Sequence, residues 1–343
     1  MLFNTTLTGA ALWLPVIAMA IMGIAMLAYV ILDGYDLGVG MLMKGQSITD
    51  KDMMIASIGP FWDANETWLV LGVGILLTCF PAAHGVILGA LYLPVSLMLL
   101  GLILRGVAFD FRVKARDQHR VAWNRAFMAG SLLAALSQGW MLGFYIASFE
   151  HSMRGYAFAS LIALSVAAGY CLLGATWLIM KTEGLLQLKA VQWAKRALLG
   201  TALGIAAISL ATPLASARIF EKWFALPNIV LLAPIPLATL TLMLVMHRAL
   251  VRLPTRFLQG NEYGAKVPFF CTLGIFSLAF YGLAYSLFPY LVPERMTIWQ
   301  GTISIESLKI ILVGAAIVVP AIIGYTIFSY RVFSGKAREL SYV

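Results

Sequence analysis

Two short segments of the sequence place paired carboxylates beside long apolar runs. Asp33 and Asp36 stand three residues apart at the end of the first run, and Asp63 and Glu66 stand three apart before the second. Residues at this spacing share one face of a helix, and carboxylates facing the watered interior of a membrane bundle can relay protons. Simpler roles stay open, namely solvated aspartates that end a helix at the first pair and favourable first-turn charges at the second.

The second pair has polar and aromatic neighbours that a helix start alone does not require. Thr67 lies four residues after Asp63, and Trp62 and Trp68 flank the segment. Hydroxyl groups beside a carboxylate can extend a proton path, whereas tryptophans at this position also serve packing. The segment therefore predicts proton conduction or helix packing, and its spacing favours neither.

One arginine closes the third apolar run. Arg105 could snorkel to the membrane surface, as long cationic side chains do at span ends. It could instead pair with Asp33, Asp36 or Asp63, which the topology below places on the same side of the membrane.

Ligand residues for a haem or a metal are poorly placed. A membrane cytochrome needs axial histidine or methionine ligands within its spans, and the four histidines fall in loops or at span ends. The three cysteines lack CxxC spacing, so we expect no zinc site and no disulfide framework. We expect no metal bound by this chain and no catalytic centre in it. The residues are His84, His119, His151, His247, Cys79, Cys171 and Cys271.

The composition indicates a membrane protein. Hydrophobic residues make up 61% of the 343 positions, charged residues 11%, and the mean hydropathy is +0.89. Soluble domains carry about 25% charged residues because water must wet their surface. Lipid is therefore the expected surroundings, and the net charge of +9 needs no nucleic acid because topology explains it.

Long apolar runs predict an all-α integral membrane protein with about nine transmembrane helices. The first run has no basic residue before Lys44 and is about 23 residues long, so it predicts a retained span rather than a signal peptide. The predicted spans cover residues 11–32, 64–82, 86–108, 124–147, 157–180, 197–215, 226–246, 268–290 and 308–330.

The basic residues predict the orientation of these spans. Of the 24 Lys and Arg residues, 19 fall on the side of the odd-numbered connections and the C-terminal tail, and five on the other. Basic residues concentrate in cytoplasmic loops. The N-terminus is therefore predicted outside and the C-terminus in the cytoplasm.

We expect a single polytopic membrane domain over residues 1–343. A weak internal symmetry suggests two four-helix bundles plus one peripheral helix. The largest polar stretch, about 109–123, is too short to fold alone and is predicted to be a cytoplasmic loop.

Five segments resemble subunit II of cytochrome bd-type quinol oxidases, and they follow the family's order from the first span to the last. Residues 59–69 resemble the family's WDxNxxW motif. Gln300, where some members have aspartate, resembles the cyanide-insensitive oxidase subgroup. The segments are 29–42 (YVILDGYDLGVGML), 59–69 (GPFWDANETWL), 104–112 (LRGVAFDFR), 173–182 (LGATWLIMKT) and 297–300 (TIWQ).

The resemblance implies a terminal oxidase of the bacterial cytoplasmic (inner) membrane, which oxidises quinol, reduces O2 to water and contributes to the proton motive force. It implies a subunit I that holds two b-type haems, a d-type or variant b-type haem and the quinol site. This chain would be its partner without haem ligands, supporting assembly and supplying part of the proton route and, in one alternative, of an oxygen route. A structural quinone and a small accessory subunit are further partners that the resemblance allows.

The resemblance also carries residue roles. It implies a proton path at Asp63, which we extend to Glu66 and Thr67, with Asp33, Asp36 and Arg105 near the same cytoplasmic end. It implies an oxygen route near Trp68, with Trp62 in the same motif, and packing is the alternative for both. Two other functions remain, a proton-coupled secondary transporter and a scaffold that conducts nothing.

Overall fold

Eight helices of the computed structural model are long and apolar enough to cross a membrane. The structure describes residues 8–338, apart from the side chains of residues 113, 114, 117 and 118. The eight coincide with eight of the nine predicted spans, and the ninth is an 18-residue helix whose first two turns are polar. Lys114, counted above among the basic residues, lies outside the described side chains, and the predicted domain extends beyond the described residues at both ends.

Thirteen helices and one two-stranded sheet make up the described chain. In order they are α1 Ala10–Leu42, α2 Ile48–Ile58, α3 Trp62–Cys79, α4 Pro81–Lys114, α5 Asp117–Ile146, α6 Met153–Lys181, α7 Gly184–Ala215, α8 Ala217–Phe224, α9 Asn228–Leu232, α10 Pro234–Leu258, α11 Val267–Leu287, β1 Tyr290–Val292, β2 Met296–Thr297, α12 Ile298–Gly301 and α13 Ile305–Val332.

The first helix continues a further ten residues beyond its predicted end at 32. Gly38 of α1 and Gly174 of α6 let the two backbones approach closely, and a Cβ at Gly38 would overlap the carbonyl oxygen of Tyr170. This packing against α6 keeps the chain helical through Asp33 and Asp36. The interpretation of these residues as solvated aspartates at a helix end was therefore wrong.

The predicted loop at 109–123 was also wrong. Helix α4 runs to Lys114 and α5 begins at Asp117, so only two residues separate them. Asp52 of α2 explains this extension, because it pairs with Arg112 of α4 at 2.5 Å and with Arg120 of α5 at 2.8 Å. The turn between the second and third spans is likewise shorter than predicted, with Phe80 alone between α3 and α4.

The eight spanning helices together with α3 form two four-helix bundles and one peripheral helix, as predicted. Helices α1, α3, α4 and α5 form the first bundle, and α6, α7, α10 and α11 form the second. Helices α1 and α5 both pack against α6 and join the bundles, while α13 lies outside them against α1 and α3. The first bundle and the nearby end of α13 position the candidate site.

The short sheet closes the opposite end of the molecule. Strands β1 and β2 pair antiparallel. Tyr145 at the end of α5 donates to the Leu291 carbonyl (2.6 Å), and Trp299 donates to the Leu12 carbonyl at the start of α1 (3.0 Å). Gln300 caps α12 by accepting from the backbone N–H of Thr297. This segment therefore ties helix ends together far from the carboxylates of α1.

Candidate functional site: a buried charge cluster

Helix α1 buries both of its aspartates. Asp33 and Asp36 lie three residues apart, and the exposed fraction of each is 0%. Asp33 stands 23 residues into the helix, about 35 Å at 1.5 Å per residue, beyond the ~30 Å thickness of a hydrocarbon core. The two carboxyls are thus enclosed by protein near one membrane surface.

Arg105 of α4 bridges two carboxylates. Its Nη1 lies 2.6 Å from Asp33 Oδ1, and its Nη2 pairs with Glu66 Oε1. The guanidinium also lies 6.0 Å from the ring centroid of Trp62. Only 1% of Arg105 is exposed, so the arginine is buried among its partners and does not snorkel.

Asn65 of α3 organises the surroundings of Asp36. Its side-chain amide donates to Asp36 Oδ2 (2.8 Å), to the Tyr35 hydroxyl (2.9 Å) and to the Leu32 carbonyl (3.2 Å). The hydroxyls of Tyr35 and Tyr330 are 2.5 Å apart, and Tyr330 donates to Asn65 Oδ1 (3.3 Å). Tyr330 brings the peripheral helix α13 into the site.

A chain of neutral hydrogen bonds approaches Asp33 from the other side. The Tyr170 hydroxyl donates to Gln138 Oε1 (2.6 Å), and Gln138 Nε2 donates to the Tyr29 oxygen (2.7 Å). Tyr29 lies one helical turn before Asp33 on α1, and its own hydroxyl proton is not used in these bonds. The donors therefore point from α6 through α5 to α1, and the chain of bonds ends on Tyr29.

The cluster is short of positive charge. The cluster holds three carboxyls and one guanidinium: Arg105 contacts Asp33 and Glu66, whereas Asp36 is bonded to the amide of Asn65. Among the described residues, Asp33 Oδ2 and Asp36 Oδ1 have no hydrogen-bond partner. Because uncompensated buried charge is costly, a cluster with three carboxylates and one cation favours binding at least one proton.

Two polar residues of the WDxNxxW segment lie outside this buried cluster, and Glu66 lies at its edge. Asp63 is exposed at the start of α3, and no bond to its side chain occurs in the part of the chain that the structure describes. Thr67 is also exposed, and its hydroxyl donates to the Ala64 carbonyl. Glu66 lies between the two environments, with 28% of its side chain exposed.

The two tryptophans of the motif make packing contacts. Trp62 packs against Phe109 with ring centroids 5.0 Å apart, and Trp68 is buried against Ala25 and Tyr29. The Trp68 indole N–H has no partner within the described chain. These contacts favour packing as their role, and the predicted oxygen route stays a prediction.

Trp177, in the segment of the fifth span, contacts the site from the second bundle. Its ring stacks on Tyr35 (centroids 4.2 Å apart), and it lies 5.1 Å from the Lys181 ammonium. Trp177 also donates to the Ser57 carbonyl (3.2 Å). The second bundle therefore supports the site through the ring of Tyr35.

At the opposite end, Lys222 of the surface helix α8 holds the end of α11. Its ammonium donates to the carbonyls of Tyr285 (2.6 Å) and Phe288 (2.5 Å). Burial lowers the pKa of Lys222, and the charge of Arg218 acts in the same direction. No carboxylate is bonded to Lys222 among residues 8–338, so this end differs from the Arg105 cluster.

Five residues of the site were not singled out from the sequence. Asn65 stood inside the motif, and Gln138 was detectable as an amide in the middle of an apolar span. The tyrosines gave little signal, because tyrosine is common in membrane helices. The five are Tyr29, Tyr35, Asn65, Gln138 and Tyr330.

The fold and the site together define a polytopic membrane protein with a buried charge cluster. The family described as cytochrome bd terminal oxidase subunit II matches residues 14–333. The chain therefore belongs to the cytochrome bd terminal oxidase subunit II family.

Similar proteins agree with this assignment. Cytochrome bd ubiquinol oxidase subunit 2 of Bacillus subtilis (strain 168) is 27% identical over 347 residues, covering 96% of this chain and 96% of the relative. Cytochrome bd-I ubiquinol oxidase subunit 2 of Escherichia coli (strain K12) is 30% identical over 201 residues, covering 53% and 52%. In a solved structure of bd oxidase from Geobacillus thermodenitrificans, one chain has the same fold, with a TM-score of 0.77 at 18% identity, covering 94% of this chain and 99% of that chain.

This membership settles the class of protein. The chain is a subunit of a terminal oxidase, an oxidoreductase complex. The alternative of a proton-coupled secondary transporter is not supported.

Proposed function

We propose that this chain supplies part of the proton route by which a quinol:oxygen oxidoreductase reduces O2 to water. The observation that carries the proposal is the pair of fully buried carboxyls on α1, of which Asp33 is paired with Arg105 and Asp36 is bonded only to the neutral amide of Asn65. Groups of this kind exchange protons when burial opposes their charge and a countercharge favours it. A purely structural role would not require three carboxyls around one cation.

The route begins at the exposed end of α3. Asp63 is the first proton acceptor in this proposal, because it is exposed and lies one helical turn before Glu66. Glu66 is part-exposed and contacts Arg105, which pairs with Asp33 on its other side. In this proposal the ion pair stays fixed beside the step from Glu66 to Asp36. Thr67 lies on the exposed side of α3, where its hydroxyl can accept a hydrogen bond from water at the entrance to the route.

We further infer that the two buried aspartates have different tasks. Asp33 is the fixed partner of Arg105, 2.6 Å away. Asp36 receives a hydrogen bond from the neutral amide of Asn65 and has one oxygen without a described partner. Asp36 is therefore the carboxyl that takes up and releases the proton.

The haems of the proposed complex are assigned to subunit I. No histidine of this chain is buried in the described structure, and His151 is bonded to Tyr156, so the donor set does not fit a haem held here. We propose two b-type haems and a d-type or variant b-type haem in subunit I, with quinol and O2 as substrates.

The proposed setting is the bacterial inner membrane, with the N-terminus outside. A structural quinone and a small accessory subunit remain part of the proposal. A tagged chain, purified from its native membranes in mild detergent, should bring a second large subunit and haem absorption bands with it.

The variant Asp36→Asn tests the proton route directly. We expect quinol-dependent oxygen uptake to fall by about a hundredfold, which is the lower end of what a positioned proton-transfer group contributes. The haem spectrum of the purified complex should not change. Asp63→Asn should reduce uptake less, because water can reach Glu66 without it.

The matched control is Asp110→Asn, which removes an exposed carboxylate from α4 outside the cluster. It should retain full oxygen uptake. Full oxygen uptake in Asp36→Asn would contradict the proposal. A neutral Asp63→Asn together with a destabilising Trp62→Ala would instead support the scaffold function.

A further inference from the structure

A basic cavity opens at the turn between α10 and α11. Its volume is about 480 Å³, within the range of small-ligand sites. Arg252 and Arg256 reach it from the last turns of α10, and Lys266 reaches it from the residue before α11. Three cations thus converge on one space at a membrane surface, far along the chain from the Arg105 cluster.

The positive charge of the cavity is not neutralised by the protein. Neither the Arg252 nor the Lys266 side chain has a hydrogen bond or an ion pair with any described residue. Glu262 is the one acid in the lining, and it is already engaged by Lys336 (2.9 Å) and Gln187 (3.1 Å). Like charges that converge in this way are stabilised by a bound anion.

The loop that forms the cavity is held without any ligand. Arg256 Nη1 donates to the Tyr263 carbonyl (3.0 Å), and the guanidinium lies 5.4 Å from the ring centroid of the same tyrosine. The Asn261 N–H donates to the Arg256 carbonyl (2.9 Å). Gly264 has a φ of 91°, which its lack of a side chain permits. Arg256 therefore holds the loop in place, whereas Arg252 and Lys266 are available to bind a ligand.

Exposed apolar side chains lie beside the cavity on the two helices that form it. Val267 begins α11, and one turn further into that helix Phe270 is 61% exposed. Val251 on α10 is also exposed. A ligand with a negative head and apolar chains would match both parts of this surface.

We propose that this cavity binds the phosphate headgroup of an anionic glycerophospholipid from the surrounding bilayer. The phosphate would lie between Arg252 and Lys266, and the acyl chains would follow α11 past Phe270. Basic pockets between spanning helices hold anionic headgroups in this manner. The proposal is independent of the proton route, since no residue is shared between the two sites.

The test uses the complex of this chain with its partner subunit, delipidated in detergent. Phosphatidylglycerol, phosphatidylcholine and inorganic phosphate are titrated separately, and bound lipid is counted by native mass spectrometry alongside thermal unfolding. In the double variant Arg252→Gln/Lys266→Gln we expect phosphatidylglycerol to bind about thirtyfold more weakly, or about fivefold for each charge removed. Oxygen uptake should not change.

The matched control is Lys195→Gln/Arg196→Gln, which removes the same charge from α7 without touching the cavity. It should bind phosphatidylglycerol as the unmodified complex does. Equal weakening by both double variants would show diffuse charge attraction and overturn the site. Equal binding of phosphatidylcholine, or equal stabilisation by inorganic phosphate, would overturn the assignment to an anionic lipid.

Discussion

The two bundles differ in whether they bury carboxylates. In the second bundle the buried hydroxyls donate to carbonyls of their own helices, as Thr272 does to Pro268 and Thr201 to Ala197, both at 2.8 Å. In the first bundle Asp33 and Arg105 find their partners on other helices. No carboxylate of the second bundle is buried within residues 8–338.

This difference predicts that the second bundle supports the fold and that the first bundle carries the chemistry. A hydroxyl bonded to its own helix is satisfied locally, so its loss disturbs little beyond one turn. A buried charge depends on partners that several helices must hold together, so its loss disturbs all of them. We therefore expect variants in the first bundle to have large effects on stability or on turnover, and variants in the second to have small ones.

The largest effect is expected for Arg105→Gln. It leaves Asp33 buried without a countercharge, which should cost about 3–5 kcal/mol of unfolding free energy. The measurement is the yield and the thermal unfolding of the haem-containing complex. Arg105→Lys is the control, since it keeps the charge but cannot bridge Asp33 and Glu66 in the same way, and it should lose less. Unfolding at the unmodified temperature in Arg105→Gln would contradict the comparison.

A smaller loss is expected for Asp33→Asn, about 2 kcal/mol, because Arg105 keeps Glu66 as a partner. If Asp33 is the fixed partner of Arg105, this variant should lower stability and leave turnover within about threefold. Asp36→Asn should instead lower turnover and leave stability nearly unchanged. Stability and oxygen uptake measured on both variants decide the matter, and an equal loss of turnover in the two would remove the proposed division of tasks.

Tyr330→Phe should cost about 1 kcal/mol, the usual worth of a neutral hydrogen bond. It removes the contacts of α13 with Tyr35 and Asn65. Hydrogen exchange should become faster at the end of α13, which the hydroxyl holds against the bundle. Tyr325→Phe on the same helix is the control, because Tyr325 is 59% exposed, and equal exchange in both variants would argue against this anchoring.

The smallest effect is expected for Thr272→Val in the second bundle. The Pro268 carbonyl keeps its helical bond after the hydroxyl is lost, so the cost should stay below about 0.5 kcal/mol. Oxygen uptake should be unchanged. A loss comparable to that of Asp33→Asn, in either unfolding free energy or turnover, would show that the second bundle is more than a support.

Most of the fold was predictable from the sequence, because apolar runs long enough to span a bilayer leave few alternatives. The ends of the helices were less predictable. Helix α1 extends through Asp33 because α6 packs against Gly38, and helices α4 and α5 extend because Asp52 joins them. Contacts of this kind depend on distant parts of the chain, and local composition does not record them.

The candidate site was predictable in part. Spacing placed Asp33 and Asp36 on one helix face, and Arg105 was considered as their partner. Burial could not be inferred from spacing, and neither could the roles of Asn65 and Tyr330, whose side chains meet across 265 positions of the chain. Asp63, the most prominent acid of the motif, proved to be exposed.

The bond between Tyr35 and Tyr330 has a consequence for biosynthesis. Its two residues are 295 positions apart, and translation proceeds from the N-terminus at roughly 5–20 residues per second. The aspartates of α1 are therefore made well before Arg105. Asn65 cannot accept its hydrogen bond from Tyr330 until α13 has been made. The hydrogen-bond network closes only after α13 has been made, so a product interrupted before that helix lacks the contact that completes the surroundings of Asp36.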